Sequence, residues 1–495
     1  MMTASALPQF PWLSVLIFLP LAGALICVLT RERADESRWL ALATTVTVFG
    51  ISLYLWFHAG DSSGAWLYYE DVDWISRFGI RYTLGLDGIS LLMVLLTAFL
   101  QVIAVLISWP QDKHVPLFFA LLMVLEAGLM GVFMALDMVL FYLFWEVMLI
   151  PMFFLIGVWG HERRRYAALK FFLYTLAGSL VMLIALIALY LIHGEQTGLY
   201  SFALSDLMRT DLSTTQEAWL FAGFLLAFAV KTPLVPFHTW LPDAHTSAPA
   251  AGSVDLAGLL LKTGVYGMIR VAFPLFPTVV QKSLPLLALV ALIGIFHAAW
   301  GAYRQTDIKR LVAYSSISHL GLVILGLAAW DLTAWQGSIL LMTTHGITTG
   351  GLFALVAMIR QRTGTRDLTE LGGLWQCMPN LSAFFLLFAL ASLGLPGLAN
   401  FTGEILVLIG TFQSHPIWAA IAMFGVVFAA AYMLKMVQGV LWGESKRTFD
   451  CEDLTLREWL VLVPMAVLVV WLGLYPLPLL KLLESPVLTV IGGMP

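Results

Sequence analysis

The chain has 495 residues, 60% of them hydrophobic and only 11% charged, with a mean hydropathy of +0.90 and a formal net charge of −4. Soluble domains carry about 25% charged residues, so this chain lacks the polar surface to face water and reads as an integral membrane protein. Its apolar runs are long and continuous rather than alternating, which selects an all-α membrane fold over a closed barrel.

The first ten residues, MMTASALPQF, carry no positive charge, and the first basic residue, Arg31, follows the first apolar run. That order predicts a retained first span rather than a cleaved signal peptide. A criterion of ~20 apolar residues per span predicts about fourteen transmembrane helices, at 11–30, 39–59, 84–107, 116–135, 138–159, 167–192, 218–240, 248–271, 283–302, 308–329, 334–359, 381–411, 414–440 and 457–478. Sixteen Lys and Arg residues fall in the odd-numbered loops, including Arg163, Arg164, Arg165, Lys309, Arg310, Arg360 and Arg366, against six (Arg77, Arg81, Arg209, Arg270, Lys282, Lys481) on the other side. The positive-inside rule then places the odd loops in the cytoplasm and both termini on the periplasmic side of a bacterial inner membrane.

Two of these spans carry interruptions. Span seven contains Lys231, Pro233 and Pro236, and span twelve contains Gly394, Pro396, Gly397 and Gly403 just before Glu404. They lie five spans apart, and an odd shift inverts a repeat in the membrane. Paired Gly/Pro-interrupted spans in corresponding positions are the sequence signature of an inverted-repeat transport site. Glu146 of span five matches His319 of span ten under the same shift, and Lys262 of span eight matches Lys435 of span thirteen. The expected organisation is three leading helices (1–115), a first five-helix repeat (116–271), a second inverted repeat (272–440), and helix fourteen with a tail (441–495).

Ionisable side chains at a helix centre cost roughly 2.5–3.5 kcal/mol on insertion scales and mark ion pathways. This chain places Glu126, Glu146, Lys231, His238, Asp255, Lys262, His319, His345, Glu404 and Lys435 inside predicted spans. Glu146 has no basic neighbour in its own span, so Lys231 is its expected partner. A fixed structural salt bridge would account for that pair but not for the remaining groups. Pro233 and Pro236 free backbone carbonyls, and broken backbone at membrane depth survives only inside protein or beside water. Water is therefore expected to reach Lys231, with His238 one heptad further on. Gly258 and Gly267 flank Lys262 and allow close helix approach, with Asp255 seven residues before it on the same face. His319 follows the hydroxyl-rich YSSIS and His345 follows TT. Near-neutral titration suits both to a proton relay, and their spacing supplies no shared metal-ligand set. Glu126 and Lys435 could instead face a protein partner. Together these groups form a polar line along the membrane plane rather than a pore through it.

Cys27, Cys377 and Cys451 form no C-x-x-C, which argues against an iron–sulfur or zinc site, and there is no Gly-rich phosphate loop or dinucleotide fingerprint. The sequence shows no cofactor site of its own.

The stretches LGLDGISLLMVLLT (84–97), FWEVMLIPMFFLIGVWG (144–160), KTPLVPFHTWLPDAHTSAPAAGSVDLAGLLLKTGVYG (231–267), QTDIKRLVAYSSISHLG (305–321), THGITTGGLF (344–353) and LPGLANFTGE (395–404) resemble the antiporter-like subunits of respiratory complex I, the proton-pumping NADH:quinone oxidoreductase. Glu404 at the second broken helix matches the branch of that family that carries glutamate there in place of lysine. The prediction of fourteen spans leaves no room for the extra lateral helix of one sister subunit. The resemblance implies a charge pair Glu146–Lys231, a central Lys262, a relay through His319 and His345, and an exit or hand-over group at Glu404. It also implies sister antiporter-like subunits on either side, contact with lipid, no nucleic acid, and FMN, iron–sulfur clusters and quinone in partner subunits only. The alternative within the same superfamily is a subunit of a multisubunit Na⁺/H⁺ antiporter or of a membrane-bound hydrogenase. A passive membrane scaffold is disfavoured by the cost of so many buried charges.

Overall fold

The structure is a computed structural model that describes residues 10–29, 33–59, 66–445 and 452–492. The helices follow the predicted spans: α1 (Trp12–Leu29), α2 (Ala34–Phe57), α3 (Gly88–Ile107), α4 (Val115–Met134), α5 (Met138–Trp159) and α6 (Arg164–Thr197). The seventh span is split into α7a (Thr214–Lys231) and α7b (Trp240–Ser247). Next come α8 (Ala250–Leu275), α9 (Pro277–Tyr303), α10 (Ile308–Ala328) and α11 (Leu332–Thr363). The twelfth span is split into α12a (Pro379–Ser392) and α12b (Ala399–Ser414), and α13 (Pro416–Leu441) and α14 (Leu456–Leu474) complete the series. Among the described residues, twelve of these helices are long and apolar enough to cross a membrane unbroken.

Several helix starts follow directly from side-chain caps. The carboxylates of Asp87, Asp137, Asp307 and Asp331 accept from the first free N–H groups of α3, α5, α10 and α11. Ser213–Gln216 and Thr455–Glu458 form reciprocal capping boxes at α7a and α14. A buried helix end must have such partners, and Asp or Ser at the N-cap supplies them.

Burial is graded. Helices α8 and α11 are enclosed along their whole apolar length and α10 nearly so. By contrast α6, α9 and α13 expose large apolar side chains such as Leu173, Ile184, Leu286, Phe424 and Val427. Exposed apolar surface on this scale is what a lipid-facing wall presents. The three enclosed helices are the ones that carry Lys262, His319 and His345.

The structure departs from the sequence reading in several places. Residues 68–86 form an antiparallel hairpin, β1 (Tyr68–Ile75) and β2 (Ile80–Leu86), with Tyr68 opposite Leu86 and Asp73 opposite Arg81. The predicted start of span three at 84 is therefore strand, and α3 begins after Asp87. A search for apolar runs passes over this segment because its strands mix charged and apolar residues, and its turn rests on Gly79 at φ +67°. The hairpin has a structural duty: Glu70 accepts from Leu13 N at 2.7 Å and Ser14 N at 3.1 Å, closing the N-terminus of α1. The predicted tail is also ordered, as α15 (Leu477–Gly492), which packs on α3 and α11.

Arg270 is not a loop residue either. It lies buried in a π-helical turn of α8 (Met268–Ala272), ion-paired to Asp87 and stacked over Trp66 at 5.0 Å. Removing one member of a buried pair leaves an uncompensated charge and costs roughly 3–5 kcal/mol. Arg270→Met is expected to lower the thermal stability of the purified protein by that order, and adding Asp87→Asn, which keeps the cap on α3, to recover part of it. Equal melting of the single and double variants would show that the pair does not carry this energy.

Candidate functional site

The two helix breaks occur where the sequence places them. α7a ends at Lys231, with Thr232–Thr239 non-helical before α7b, and α12a ends at Ser392, with 393–398 non-helical before α12b. The first break packs on one side against the enclosed α8 and leaves Pro236 and Thr239 exposed, and the second packs against α14 and leaves Leu395 and Pro396 exposed. α8 approaches the end of α7a so closely that a Cβ at Gly264 would collide with Thr232, and one at Gly267 with the Phe228 ring.

Four of the predicted residues meet in a continuous row. Lys262 Nζ donates to His345 Nδ1 at 2.9 Å and to the carbonyl of Ala257. The His345 and His319 rings lie 5.4 Å apart, centroid to centroid. His319 Nδ1 is 3.3 Å from Glu404 Oε1. The order is thus Lys262, His345, His319, Glu404, which exchanges the two histidines relative to their order in the chain, because α11 lies between α8 and α10 along the row. Lys262 is fully enclosed and the other three are at most 5% exposed. The Ala257 carbonyl is free for Lys262 because residues 256–260 form a π-helical turn, an insertion that recurs at functional sites. The same turn redirects Asp255 away from Lys262.

The hydroxyl groups near the histidines are not part of the row. Ser315 and Ser316 donate to Val312 O, Ser318 to Ile295 O, Thr343 to Ile339 O and Thr344 to Leu341 O. They satisfy helix backbone. The histidines' outer nitrogens, Nε2 of both His319 and His345, have no protein partner.

Glu146 and Lys231 are near enough for their charges to interact but are not in contact. Among the described residues Lys231 Nζ has no hydrogen-bond partner, and it sits 5.2 Å over the Trp145 ring and 5.9 Å from that of Phe171. Cation–π attraction holds the ammonium in place of a direct salt bridge. His238 lies in the break rather than one heptad along a continuous helix, and its ring packs 4.9 Å from that of His297 on α9.

Three further predicted residues sit off the row. Glu126 is fully enclosed, so it faces no partner protein; its carboxylate and that of Asp255 are buried near one another, with the Gln101 amide beside Asp255 and no hydrogen bond of normal geometry among them. Lys435 reaches the end of α9, donating to Tyr303 O at 2.5 Å and lying 4.9 Å over the Tyr303 ring. A lysine that snorkels to helix-terminal carbonyls is not a central relay group, and the expected match of Lys435 to Lys262 fails on this position.

A small space lies beside Glu404. A cavity of about 20 Å³, room for one water molecule, is lined by His319 and Glu404 together with Ile295, Ala422, Gly425 and Ala429 of α9 and α13. Neither Pro396 nor Gly397 lines it.

Residues 135–429 match the family described as NADH:quinone oxidoreductase/Mrp antiporter, transmembrane. The chain is 45% identical over 493 residues to NADH-quinone oxidoreductase subunit M of Escherichia coli (strain K12), covering 96% of each chain. It is 38% identical over 489 residues to NADH-ubiquinone oxidoreductase chain 4 of Marchantia polymorpha, covering 98% of each. The chain belongs to this family. Its fold superposes on a chain of respiratory complex I from Thermus thermophilus with a TM-score of 0.87 at 32% identity, covering 97% of this chain and 100% of that one. The family resemblance read from residues 84–404 is thereby confirmed, and the relatives are of the branch that Glu404 indicated.

Two residues of this family member escaped the sequence reading. His245 on α7b is 0% exposed, lies parallel to the Phe353 ring at 4.6 Å, and among the described residues has no hydrogen-bond partner on either ring nitrogen. Tyr432 on α13 is fully enclosed beside Glu404, with its hydroxyl unpartnered. His245 was visible at the end of WLPDAH, but that polar stretch reads equally well as a loop. Tyr432 gave no signal, because tyrosine is ordinary in a membrane helix.

Gly394 has φ +81°, and a Cβ there would collide with Glu404 Oε2. Gly394→Ala is therefore expected to push the Glu404 carboxylate out of reach of His319 without altering any charge. It should reduce proton translocation per electron in the intact complex, with assembly retained. Wild-type translocation in that variant would show that the His319–Glu404 approach is dispensable.

Proposed function

We propose that protons move along the row Lys262–His345–His319–Glu404, and that the Glu146–Lys231 pair sets its charge state from the other end. The chain is a proton-translocating membrane subunit of NADH:quinone oxidoreductase. The observation that carries the relay is the unbroken approach of four titratable side chains from α8, α11, α10 and α12b, at 2.9 Å, 5.4 Å between ring centroids, and 3.3 Å. Each neutral imidazole accepts a proton on one nitrogen and releases one from the other, so the two rings pass a proton without net change. Glu404 takes it as a carboxylic acid beside a water-sized space.

The open geometry of Glu146 and Lys231 suits a control element. A contact pair buried at low dielectric is fixed, whereas an ammonium held over aromatic rings exchanges its proton at less cost. When Lys231 gains or loses a proton, the field at Lys262 changes, and coupled groups answer together. Translocating one charge against the membrane potential takes about 2.3 kcal/mol per 100 mV. The drive reaches this chain from neighbouring subunits of the complex, among which the sister antiporter-like subunits flank it on either side. FMN, iron–sulfur clusters and quinone belong to partner subunits, and no step in this chain runs through them. The basic loops face the cytoplasm of the inner membrane and the hairpin face is periplasmic. The five-helix units of α4–α8 and α9–α13 are inverted repeats with a broken helix in each.

The relay is tested by Glu404→Gln and Glu404→Asp in the intact complex. Glutamine accepts no proton and should remove most of this chain's translocation per electron; aspartate should keep part of it. Undiminished pumping in Glu404→Gln would place the route elsewhere. Glu146→Gln and Lys231→Ala are likewise expected to uncouple electron transfer from pumping while the complex assembles. Wild-type pumping per electron in both would reduce the pair to a structural role.

A further inference from the structure

A second space lies on the side of the basic loops, and none of the residues around it belongs to the row. This cavity of about 280 Å³, far larger than the one beside Glu404, opens among the ends of α3, α5 and α11 and the starts of α4, α8 and α10. Lys309, Arg360 and Arg366 stand on its wall, with Ser108, Gln111 and Gln361 beside them. The acids nearby do not cancel these cations. Arg366 pairs with Asp307 at 3.1 Å, but the Asp307 carboxylate also caps the start of α10. Glu162 and Asp307 act on Arg360 without an ion-pair contact, and Arg360 Nη1 is buried with no partner among the described residues. His161, in the loop after α5, responds to the resulting field: burial, together with Lys309, Arg360 and Arg366, holds its imidazole well below the ordinary value.

Two of the cations are held in place by the end of α7b. Lys309 Nζ donates to Ala248 O at 2.6 Å and Arg366 Nη1 to Thr246 O at 3.0 Å. An ammonium has three N–H donors, so Lys309 keeps donors to spare at a fixed position. The start of α8 adds a fourth positive element. Pro249 and Ala250 line the cavity, and α8, unlike α3, α5, α10 and α11, has no side-chain cap. The first N–H groups of a helix lack intrahelical acceptors and carry about half a positive charge between them, which favours an anion. A buried guanidinium nitrogen without an acceptor is costly. Donors thus reach this space from three helices, α8, α10 and α11. A planar carboxylate offers two oxygens to such a set, whereas a tetrahedral phosphoryl group offers more, and Arg is well matched to it.

We propose that this cavity binds a phosphoryl oxyanion, with Arg360 and Lys309 donating to its oxygens and the uncapped start of α8 beside it. Inorganic phosphate and the phosphodiester of an anionic phospholipid headgroup share this chemistry. The effect of binding is mechanical: one anion ties α8, α10 and α11, the three enclosed helices, to one another at their basic-loop ends. The site stands or falls independently of the relay, because it uses no residue of the row.

The test uses the intact complex, purified without phosphate. Binding of radiolabelled inorganic phosphate is compared between wild type and Arg360→Gln in chloride of matched ionic strength. Arg360→Gln is expected to weaken one phosphate site per complex by about ten- to a hundredfold, the loss of a charge-assisted hydrogen bond. Arg360→Lys should recover part of it. Arg163→Gln, which removes an exposed charge from the loop after α5, should bind as wild type; equal weakening there would reduce the effect to diffuse attraction and overturn the site. Electron cryomicroscopy of the wild-type complex separates the sources. Tetrahedral density in the cavity after addition of phosphate to phosphatidylcholine vesicles assigns the free anion. Density that runs from the cavity into acyl chains in phosphate-free phosphatidylglycerol vesicles assigns the lipid. A cavity that holds only water in both preparations, or an acidic side chain of a neighbouring subunit seated in it, overturns the proposal. These wild-type maps decide the matter even where a variant fails to assemble.

Discussion

A membrane interior leaves no water to satisfy freed backbone groups, so an interrupted helix there survives only where protein encloses it. The arrangement of this chain follows from that constraint. Residues 232–239 and 393–398 interrupt two spans, and each interruption turns buried residues such as Thr232, Leu234 and Leu398 toward neighbouring helices while Pro236 and Leu395 stay exposed. Helices α8, α10 and α11 fill the space between them and are accordingly the most enclosed in the molecule. Lipid-facing helices such as α6 and α13 form the outer wall. The polar row then lies where burial is deepest, and its ends lie near the breaks: Lys262 on α8, which packs against the end of α7a at Thr232, and Glu404 just after the second break.

Much of this was legible in the sequence because anomalies are conspicuous against an apolar background. A lysine followed by two prolines, or a glutamate amid Phe, Trp and Leu, has few readings inside a membrane span, and the residues so marked are the ones the structure brings to the row or its first break. What the sequence could not supply was relative placement. That α11 lies between α8 and α10, and so puts His345 before His319, is a packing result without local signature. Lys435 misled for a related reason: a lysine within an apolar run is either buried or snorkelling, and only the position of Tyr303 decides. Asp255 seemed tied to Lys262 by ordinary helical spacing, but the π-helical turn at 256–260 breaks that arithmetic. The hairpin at 68–86 was missed because a search tuned to long apolar runs treats an alternating charged segment as a loop.

Polar groups that look anomalous in sequence differ from those that are anomalous in space. His245 lies in a stretch rich in Pro, Asp, Thr and Ser, where a histidine attracts no notice. In the fold it has no partner for either nitrogen. The serines and threonines before His319 and His345 show the converse: they look like relay members in sequence and turn out to bind backbone carbonyls of their own or an adjacent helix. Hydroxyl groups in membrane helices often have this satisfied alternative, whereas an imidazole has none close at hand along its own helix. Unpartnered ring nitrogens are for that reason a stronger pointer to proton traffic than a run of hydroxyls.

The contrast between the two lysines explains how such a row can be driven. Lys262 is fixed by two acceptors, Ala257 O and His345 Nδ1, so its proton has a defined path toward the histidines. Lys231 has no acceptor at all and rests on aromatic faces, a weak hold worth about 0.5–2 kcal/mol. In the proposed control element, a shift of charge comparable with that hold would suffice to change whether Lys231 keeps its proton or turns toward Glu146. The same change at Lys262 would have to break two hydrogen bonds first. On the relay proposed above, the loosely held lysine is the place to receive a signal and the tightly held one the place to move a proton, which would separate control from transport along a single line of buried charge.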